Sequence, residues 1–157
     1  MIKSLYPQFQ RWAEKGAVWI ISDPHLGDKD CKLIDPGWPS PEEYIAALKI
    51  DIGKNDTLIC LGDVGEQEYF KSLKCYKVLI TGNHDKGATT YKDTFDEVYE
   101  GPLFIADRIL LSHEPIYGLE EICLNIQALP YFHQFFEASG LYINLIHYPH
   151  RIHSHTD

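Results

Sequence analysis

Short, uninterrupted apolar runs recur along this chain and constrain its fold more than any other feature. Val18–Ile21 and Thr57–Leu61 are examples: each is too short for a core helix, and neither alternates polar with apolar side chains. Continuous hydrophobicity of this kind is typical of strands that are covered on both faces of a sheet. The runs predicted as strands are Ala17–Ser22, Thr57–Leu61, Lys77–Thr81, Leu103–Ala106, Arg108–Ser112 and Ile122–Ile126.

Helical patterns lie between several of these runs. Ser40 is suited to cap a helix that begins with Pro41 and stops at Gly53, and Glu66–Lys74 reads as a shorter helix. The apolar runs Leu103–Ala106 and Arg108–Ser112 instead predict a hairpin that turns at residues 106–107, so the sheet is expected to be mixed. We therefore predict an α/β fold, in which a mixed β-sheet sandwich is flanked by helices.

The bulk composition limits the possible partners. The 157 residues suit one domain, and the net charge of −9 argues against an extended nucleic-acid interface, which would need a basic face. No stretch approaches the roughly 20 apolar residues of a membrane span, so we expect no membrane partner and a cytoplasmic location. The chain has four cysteines: Cys31, Cys60, Cys75 and Cys123. Their spacing predicts reduced thiols rather than disulfides or a zinc knuckle.

Metal-capable side chains follow four of the predicted strands. Ligands of open α/β sheets bind beyond the carboxyl ends of parallel strands, so these side chains are expected to gather at one sheet edge. Each has a simpler alternative as a turn or capping residue, but their joint occurrence favours a site. The candidates are Asp23, His25, Asp63, Asn83, His84 and His113.

The candidates offer carboxylate, amide and imidazole donors. Such nitrogen and oxygen ligands suit manganese, iron, zinc or nickel better than a cation that requires thiolates. If one carboxylate bridged two cations, they could together activate water and hold a phosphoryl group. A local positive charge of this kind would also let an acidic protein bind a small anionic substrate.

The motif series D-x-H, G-D-x-x-E, G-N-H-D and S-H-E resembles the calcineurin-like metallophosphoesterase superfamily, in particular its small single-domain bacterial and phage members. The resemblance implies two divalent metal ions, with manganese expected first and iron, zinc or nickel as alternatives. It implies that Asp23 and His25 bind the first ion, that Asp63 bridges, and that Asn83 and His113 bind the second.

The same resemblance implies a reaction. The substrate would be a small phosphomonoester or phosphodiester, hydrolysed by hydroxide generated at the dinuclear centre. His84 would contact the phosphate and protonate the leaving oxygen. Glu66 occupies the position of an acidic residue that orients this histidine, although it is equally compatible with a solvated carboxylate at a helix start.

The resemblance fails after Ile126, where the superfamily has a G-H-x-H motif. This chain has Gln127 and Ala128 there, so each ion would lack one protein ligand, and the C-terminal part is altered or truncated. We therefore divide the chain into a metallophosphoesterase-like domain over residues 1–126 and a divergent C-terminal segment over residues 127–157, which is expected either to belong to the same domain or to be partly disordered. In one explanation His153 and His155 replace the motif, although a solvated or frayed His-rich tail is the favoured interpretation of these residues. In the other, the reading frame shifted near Ile126.

The missing motif also leaves a second function open. A weakened or inactive member of the fold could serve as a binding or scaffold protein, with no chemistry at the strand ends. The intact G-N-H-D motif opposes this, because a scaffold has no evident use for His84 among metal ligands. The acidic balance disfavours a DNA nuclease, and no oligomeric state is predicted.

Overall fold

Two sheets form the framework of the protein. The computed structural model describes residues 3–4, 6–106, 109–116, 124–126, 136–138 and 141–145. The strands are β1 (Lys3–Ser4), β2 (Val18–Ser22), β3 (Thr57–Leu61), β4 (Tyr76–Thr81), β5 (Glu97–Glu100), β6 (Leu103–Ala106), β7 (Ile109–Leu111), β8 (Leu124–Ile126), β9 (Phe136–Ala138) and β10 (Leu141–Leu145). The larger sheet has the order β5-β4-β3-β2-β10-β9, and the smaller has the order β1-β6-β7-β8.

The centre of the larger sheet is parallel, which brings the ends of its strands to one edge. β2, β3 and β4 are in parallel register, with Ser22 opposite Leu61 and Leu61 opposite Ile80. In the smaller sheet β6 and β7 are antiparallel, while β7 and β8 are parallel. The predicted mixed architecture and α/β class are confirmed, and the predicted strands agree with the observed ones to within two residues at the described ends.

Alternate side chains of the central strands enter two different cores. Ile20, Ile59 and Ile80 pack with Leu103 and Leu111 of the smaller sheet, so the two sheets form a sandwich. The intervening side chains of the same strands pack against helices on the outer face; among them are Ile21, Leu58, Cys60 and Leu79. Both faces of the central strands are therefore covered, which explains their continuous hydrophobicity.

That outer face is covered by α3 (Pro41–Asp51) and by 3₁₀ helices at Gln67–Ser72 and Ala88–Tyr91. α1 (Tyr6–Ala13) instead packs through Trp12 into the core between the two sheets, and α2 (Lys29–Ile34) buries no side chain. α3 has the predicted N-cap: Ser40 Oγ accepts from Glu43 N at 3.2 Å, and Ser40 N donates to Glu43 Oε2 at 2.8 Å. None of the helices in the described ranges is both long and apolar enough to cross a bilayer.

Some elements differ from the sequence-based expectation. The segment predicted as a short helix over Glu66–Lys74 forms a 3₁₀ helix, Gln67–Ser72, which buries Phe70. β5 and α2 were not predicted, because β5 is a polar edge strand and α2 has no buried face. Cys60 and Cys75 are buried free thiols and Cys31 is a half-buried one, as expected in the part of the chain that the structure describes.

Two strands from the C-terminal part end near the carboxyl edge of the central strands. β8 lies parallel to β7, with Ile126 opposite Leu111, and β10 lies parallel to β2, with Leu145 opposite Ile20. The chain therefore leaves both strands on the side where β2 and β7 also end. Gln127, Ala128 and the histidines at 147, 150, 153 and 155 lie outside the described residues.

Candidate metal centre

Three of the predicted ligands have an unusual backbone conformation. Asp23, His25 and Asp63 have φ values of 49°, 41° and 52°, and they are the described residues other than glycine with positive φ. This left-handed region is unfavourable for side chains with a Cβ, and such conformations persist where surrounding structure enforces them. Here the loop after β2 bonds to the loop after β3: His25 N donates to Asp63 O at 2.9 Å, and Asp23 N donates to Gly62 O at 3.3 Å.

The buried carboxylate of Asp63 lies at the middle of the group. Its Oδ2 is 3.6 Å from His25 Nε2 and 3.4 Å from His113 Nε2, and its side chain is only 4% exposed. Asp23 Oδ1 lies 3.9 Å from His25 Nε2 and 4.0 Å from His113 Nδ1. Ligand atoms of Asp23, Asp63 and His113 all fall within 4.8 Å of one another, as donors around a shared cation would.

The ring of His113 is oriented by the backbone of β3. His113 Nδ1 lies 2.8 Å from the Leu61 carbonyl oxygen, and Nε2 lies 2.8 Å from Asn83 Oδ1. In the tautomer whose Nδ1–H donates to Leu61, Nε2 carries the lone pair that a cation would use. The contact between His113 and Asn83 also brings the loops after β7 and β4 together.

Asp85 joins the two loops that carry Asp63 and Asn83. Its Oδ2 accepts from Asp63 N and Gly82 N, each at 2.8 Å, and its Oδ1 accepts from Val64 N at 3.0 Å. Oδ1 also accepts from the hydroxyl of Tyr91 at 3.1 Å. Sequence reasoning gave this residue no role, although its place as the last letter of G-N-H-D could have drawn attention to it.

Glycines at the strand ends allow these loops to touch. A Cβ on Gly82 would lie 2.2 Å from Asp63 Oδ1, and one on Gly62 would lie 2.6 Å from the Gly82 backbone. Gly62 also has a φ of +80°. A larger residue at either position would therefore push the Asp63 carboxylate or its loop out of place.

His84 and Glu66 occupy the rim. The His84 side chain is exposed, its ring centroid is 5.8 Å from that of His25, and its backbone N donates to Asp63 Oδ1 at 3.0 Å. Glu66 lies over Gly27, whose added Cβ would be 2.6 Å from Glu66 Oε1. Within the described residues no hydrogen bond or ion pair links Glu66 to His84, so its orienting role stays a prediction.

The electrostatics of the centre favour a cation. Burial raises the pKa of the Asp23 carboxyl; the charges of His113 and His25 oppose this shift, and the charge of Asp63 adds to it. Two carboxylates held together in a half-buried loop cluster repel each other, and a positive ion would relieve that repulsion. Oxygen and imidazole nitrogen donors are also those that divalent metal ions of the manganese and zinc group accept.

No curated protein matches the chain at a significant level. The crystal structure of a protein of unknown function from Aquifex aeolicus is similar, with 29% sequence identity and a TM-score of 0.54. The similarity covers 62% of this chain and 60% of that protein, so this chain spans less than two thirds of its length.

A family model described as calcineurin-like phosphoesterase matches residues 16–151. The matched range includes Asp23, His25, Asp63, Asn83 and His113, and it continues past the position of the missing G-H-x-H motif. Members of this family are phosphoesterases that bind divalent metal ions. With the sandwich fold and with Asp23, Asp63 and His113 gathered at one sheet edge, the match shows that this chain belongs to the calcineurin-like phosphoesterase family.

Proposed function

We propose that this chain hydrolyses a small phosphate ester with two divalent cations. The observation that carries the proposal is the position of Asp63, a buried carboxylate whose Oδ2 lies 3.6 Å from His25 Nε2 and 3.4 Å from His113 Nε2. Each carboxylate oxygen has two lone pairs, so this one oxygen could be shared by two cations. A scaffold protein would have no reason to bury this charge between two imidazoles in strained loops.

The ligands divide into two sets around Asp63. Asp23 and His25, which lie in the same loop after β2, would hold one ion. Asn83 and His113, whose Oδ1 and Nε2 are 2.8 Å apart, would hold the other. When bound, the two ions would supply a nucleophilic hydroxide and neutralise charge on the phosphoryl oxygens. The mixed oxygen and nitrogen donors support manganese, with iron, zinc and nickel as alternatives.

His84 is proposed as the general acid. Its exposed ring can reach the leaving oxygen of a bound ester, while the hydrogen bond from its backbone N to Asp63 keeps it next to the ligand cluster. Proton donation to the leaving oxygen is expected to accelerate the reaction by roughly 10² to 10⁴-fold. His84 binds no cation in this proposal, so its loss should spare metal binding.

The substrate is proposed to be a small phosphomonoester or phosphodiester. Asn83 and His84 are exposed, so the centre opens to solvent in the described part of the chain. The net charge of −9 disfavours the binding of a long nucleic-acid strand. It does not prevent the binding of a small anion, which the cations would attract. We also propose a cytoplasmic location, which would keep the three described thiols reduced.

A titration of the purified chain with Mn²⁺ tests the proposal. Hydrolysis of a generic aryl phosphodiester should rise with Mn²⁺, and His84→Ala should lower kcat by roughly 10² to 10⁴-fold while leaving Mn²⁺ affinity within threefold. Thr89→Ala, an exposed truncation in the same region, is the matched control and should not change turnover. Failure to bind Mn²⁺ up to millimolar concentrations, or turnover that does not respond to His84→Ala, would favour the scaffold function.

The number of ions tests the dinuclear part of the proposal. Metal analysis of the Mn²⁺-loaded chain should give two ions per chain, and Asp63→Asn should remove both because they share this carboxylate. A chain that ends at Leu145 lacks the four histidines beyond that residue. If these histidines replace the missing motif, this shorter chain should lose metal affinity at least tenfold; unchanged affinity would remove them as ligands.

A further inference from the structure

A second group of metal-capable side chains lies beside the proposed centre. The two ring nitrogens of His25 face different carboxylates: Nε2 is 3.6 Å from Asp63 Oδ2, and Nδ1 is 3.6 Å from Asp28 Oδ2. Cys31 completes the second group, since ligand atoms of His25, Asp28 and Cys31 all lie within 4.8 Å of one another. None of the superfamily motifs in the sequence includes Asp28 or Cys31.

Local structure places Asp28 and Cys31 on the same side. Asp28 is the N-cap of α2, and its Oδ1 accepts from Asp30 N at 2.8 Å, which leaves Oδ2 directed toward His25. Cys31 follows three residues later, and side chains three apart on a helix are neighbours. Burial raises the pKa of the Cys31 thiol, and the nearby carboxylates of Asp28 and Asp30 raise it further.

α2 has few other contacts that explain its position. None of its residues is buried, and the apolar side chains of Leu33 and Ile34 are 79% and 86% exposed. A helix of six residues is not stable by itself in water. A ligand that joined Asp28 and Cys31 to His25 would attach this helix to the loop after β2.

We propose that His25, Asp28 and Cys31 form a separate site for a thiophilic divalent cation of the zinc class, on the Nδ1 side of His25. Two nitrogen or oxygen ligands of a tetrahedral zinc ion, at about 2.0 to 2.1 Å each, lie roughly 3.4 Å apart. The 3.6 Å separation of Nδ1 and Asp28 Oδ2 fits this arrangement. Solvent reaches the half-exposed group and would supply the fourth ligand.

Binding involves no change of oxidation state. The cation would replace the thiol proton of Cys31, which leaves to solvent, and would accept one donor each from Cys31, Asp28 and His25. Because His25 is shared with the proposed dinuclear centre, a cation on Nδ1 would weaken the binding of Mn²⁺ on the Nε2 side. The site itself does not depend on hydrolytic activity.

A Cd²⁺ titration of the full-length chain tests the site. Cd²⁺ should produce the ultraviolet charge-transfer absorption of a thiolate complex, and Cys31→Ser should reduce Cd²⁺ affinity at least tenfold. Asp28→Asn should also reduce Cd²⁺ affinity. Cys75→Ser, which removes a buried thiol elsewhere, is the matched control and should keep the band. Asp63→Asn should keep the band while it abolishes Mn²⁺ binding, so the two sites are distinguished.

A measurement on the unmodified chain removes any dependence on the folding of variants. Cd²⁺ should slow the reaction of Cys31 with a thiol reagent at least tenfold, and it should slow tryptic cleavage at Lys29 and Lys32 in α2. Absence of the band up to millimolar Cd²⁺, or a band that Cys31→Ser leaves unchanged, would overturn the proposal. It would also fail if Asp28→Asn weakened only Mn²⁺ binding, since Asp28 would then merely orient His25.

Discussion

Replacement of Asp85 by asparagine tests how the metal centre is held together. The carboxylate accepts hydrogen bonds from the backbone N of Asp63, Val64 and Gly82 and from the hydroxyl of Tyr91. The asparagine amide has the same shape, but only its oxygen accepts. At least one backbone N–H would therefore face an NH₂ group, whichever way the amide is turned.

The expected loss follows from these bonds. Each net hydrogen bond to a charged group contributes about 1.5 to 3 kcal/mol, and Asp85 is only half-buried, so we expect Asp85→Asn to lower the free energy of unfolding by about 2 to 4 kcal/mol. The loops that carry Asp63 and Asn83 would no longer be held in a fixed position relative to each other. Loss of a partner that orients metal ligands typically reduces metal affinity by about 10 to 100-fold, and we expect this for Mn²⁺.

Asp56 provides a matched control at the opposite end of the sheet. It is also half-buried and accepts from Ala17 N at 2.9 Å, Gly53 N at 2.8 Å and Trp19 Nε1 at 3.1 Å. Asp56→Asn should therefore destabilise the fold by a similar amount without affecting the metal centre. Urea denaturation gives the stability of both variants, and calorimetric titration gives their Mn²⁺ affinity.

The comparison separates local from global effects. We expect both variants to lose stability and only Asp85→Asn to lose Mn²⁺ affinity. Equal losses of affinity in the two variants would mean that general destabilisation, not the position of the loops, is responsible. Unchanged affinity in a destabilised Asp85→Asn variant would refute the role assigned to Asp85.

Three further changes have defined outcomes. Gly82→Ala places a Cβ 2.2 Å from Asp63 Oδ1 and should reduce Mn²⁺ affinity at least tenfold in the same titration. Ser40→Ala removes the capping box of α3 and should lower unfolding free energy by about 1 kcal/mol in urea, without changing metal affinity. Burial alone would raise the pKa of Glu97, but hydrogen bonds from two tyrosines and a tryptophan lower it below 4.5. The stability that this carboxylate contributes is therefore present above about pH 4.5 and is lost as pH falls through its lower native pKa, so Glu97→Gln should flatten the acid limb of a stability-versus-pH curve.

The central strands were predictable from the sequence because each is buried on both faces and therefore forms a continuous apolar run. In β3, Leu58 and Cys60 face one core while Ile59 and Leu61 face the other. Every residue of β3 is therefore buried, and its apolar run can be recognised without knowing which strands lie beside it. β5 was not predictable in this way. Its four residues, Glu97–Glu100, are partly exposed at the sheet edge, and they form a strand only because β4 offers hydrogen bonds there.

The metal centre could be predicted only in part. The residue types after β2, β3, β4 and β7 indicate possible ligands, and parallel strands bring them to one edge. The inward orientation of Asp85 and the proximity of Cys31 to His25 depend on side-chain directions that spacing does not specify. The individual roles of His84 and Glu66 stay predictions, because they depend on a substrate and on contacts made during the reaction.

The left-handed backbone of Asp23, His25 and Asp63 has a consequence for protein engineering. Glycine would relieve a strain of order 1 kcal/mol at each position, so a redesign guided by stability alone would replace these residues first. Such a protein would be more stable, but it would have lost the side chains proposed to bind the metal ions. Thermostabilisation should instead begin at solvent-exposed apolar positions remote from the carboxyl edge, such as Ile50 on α3, where polar side chains can be introduced freely.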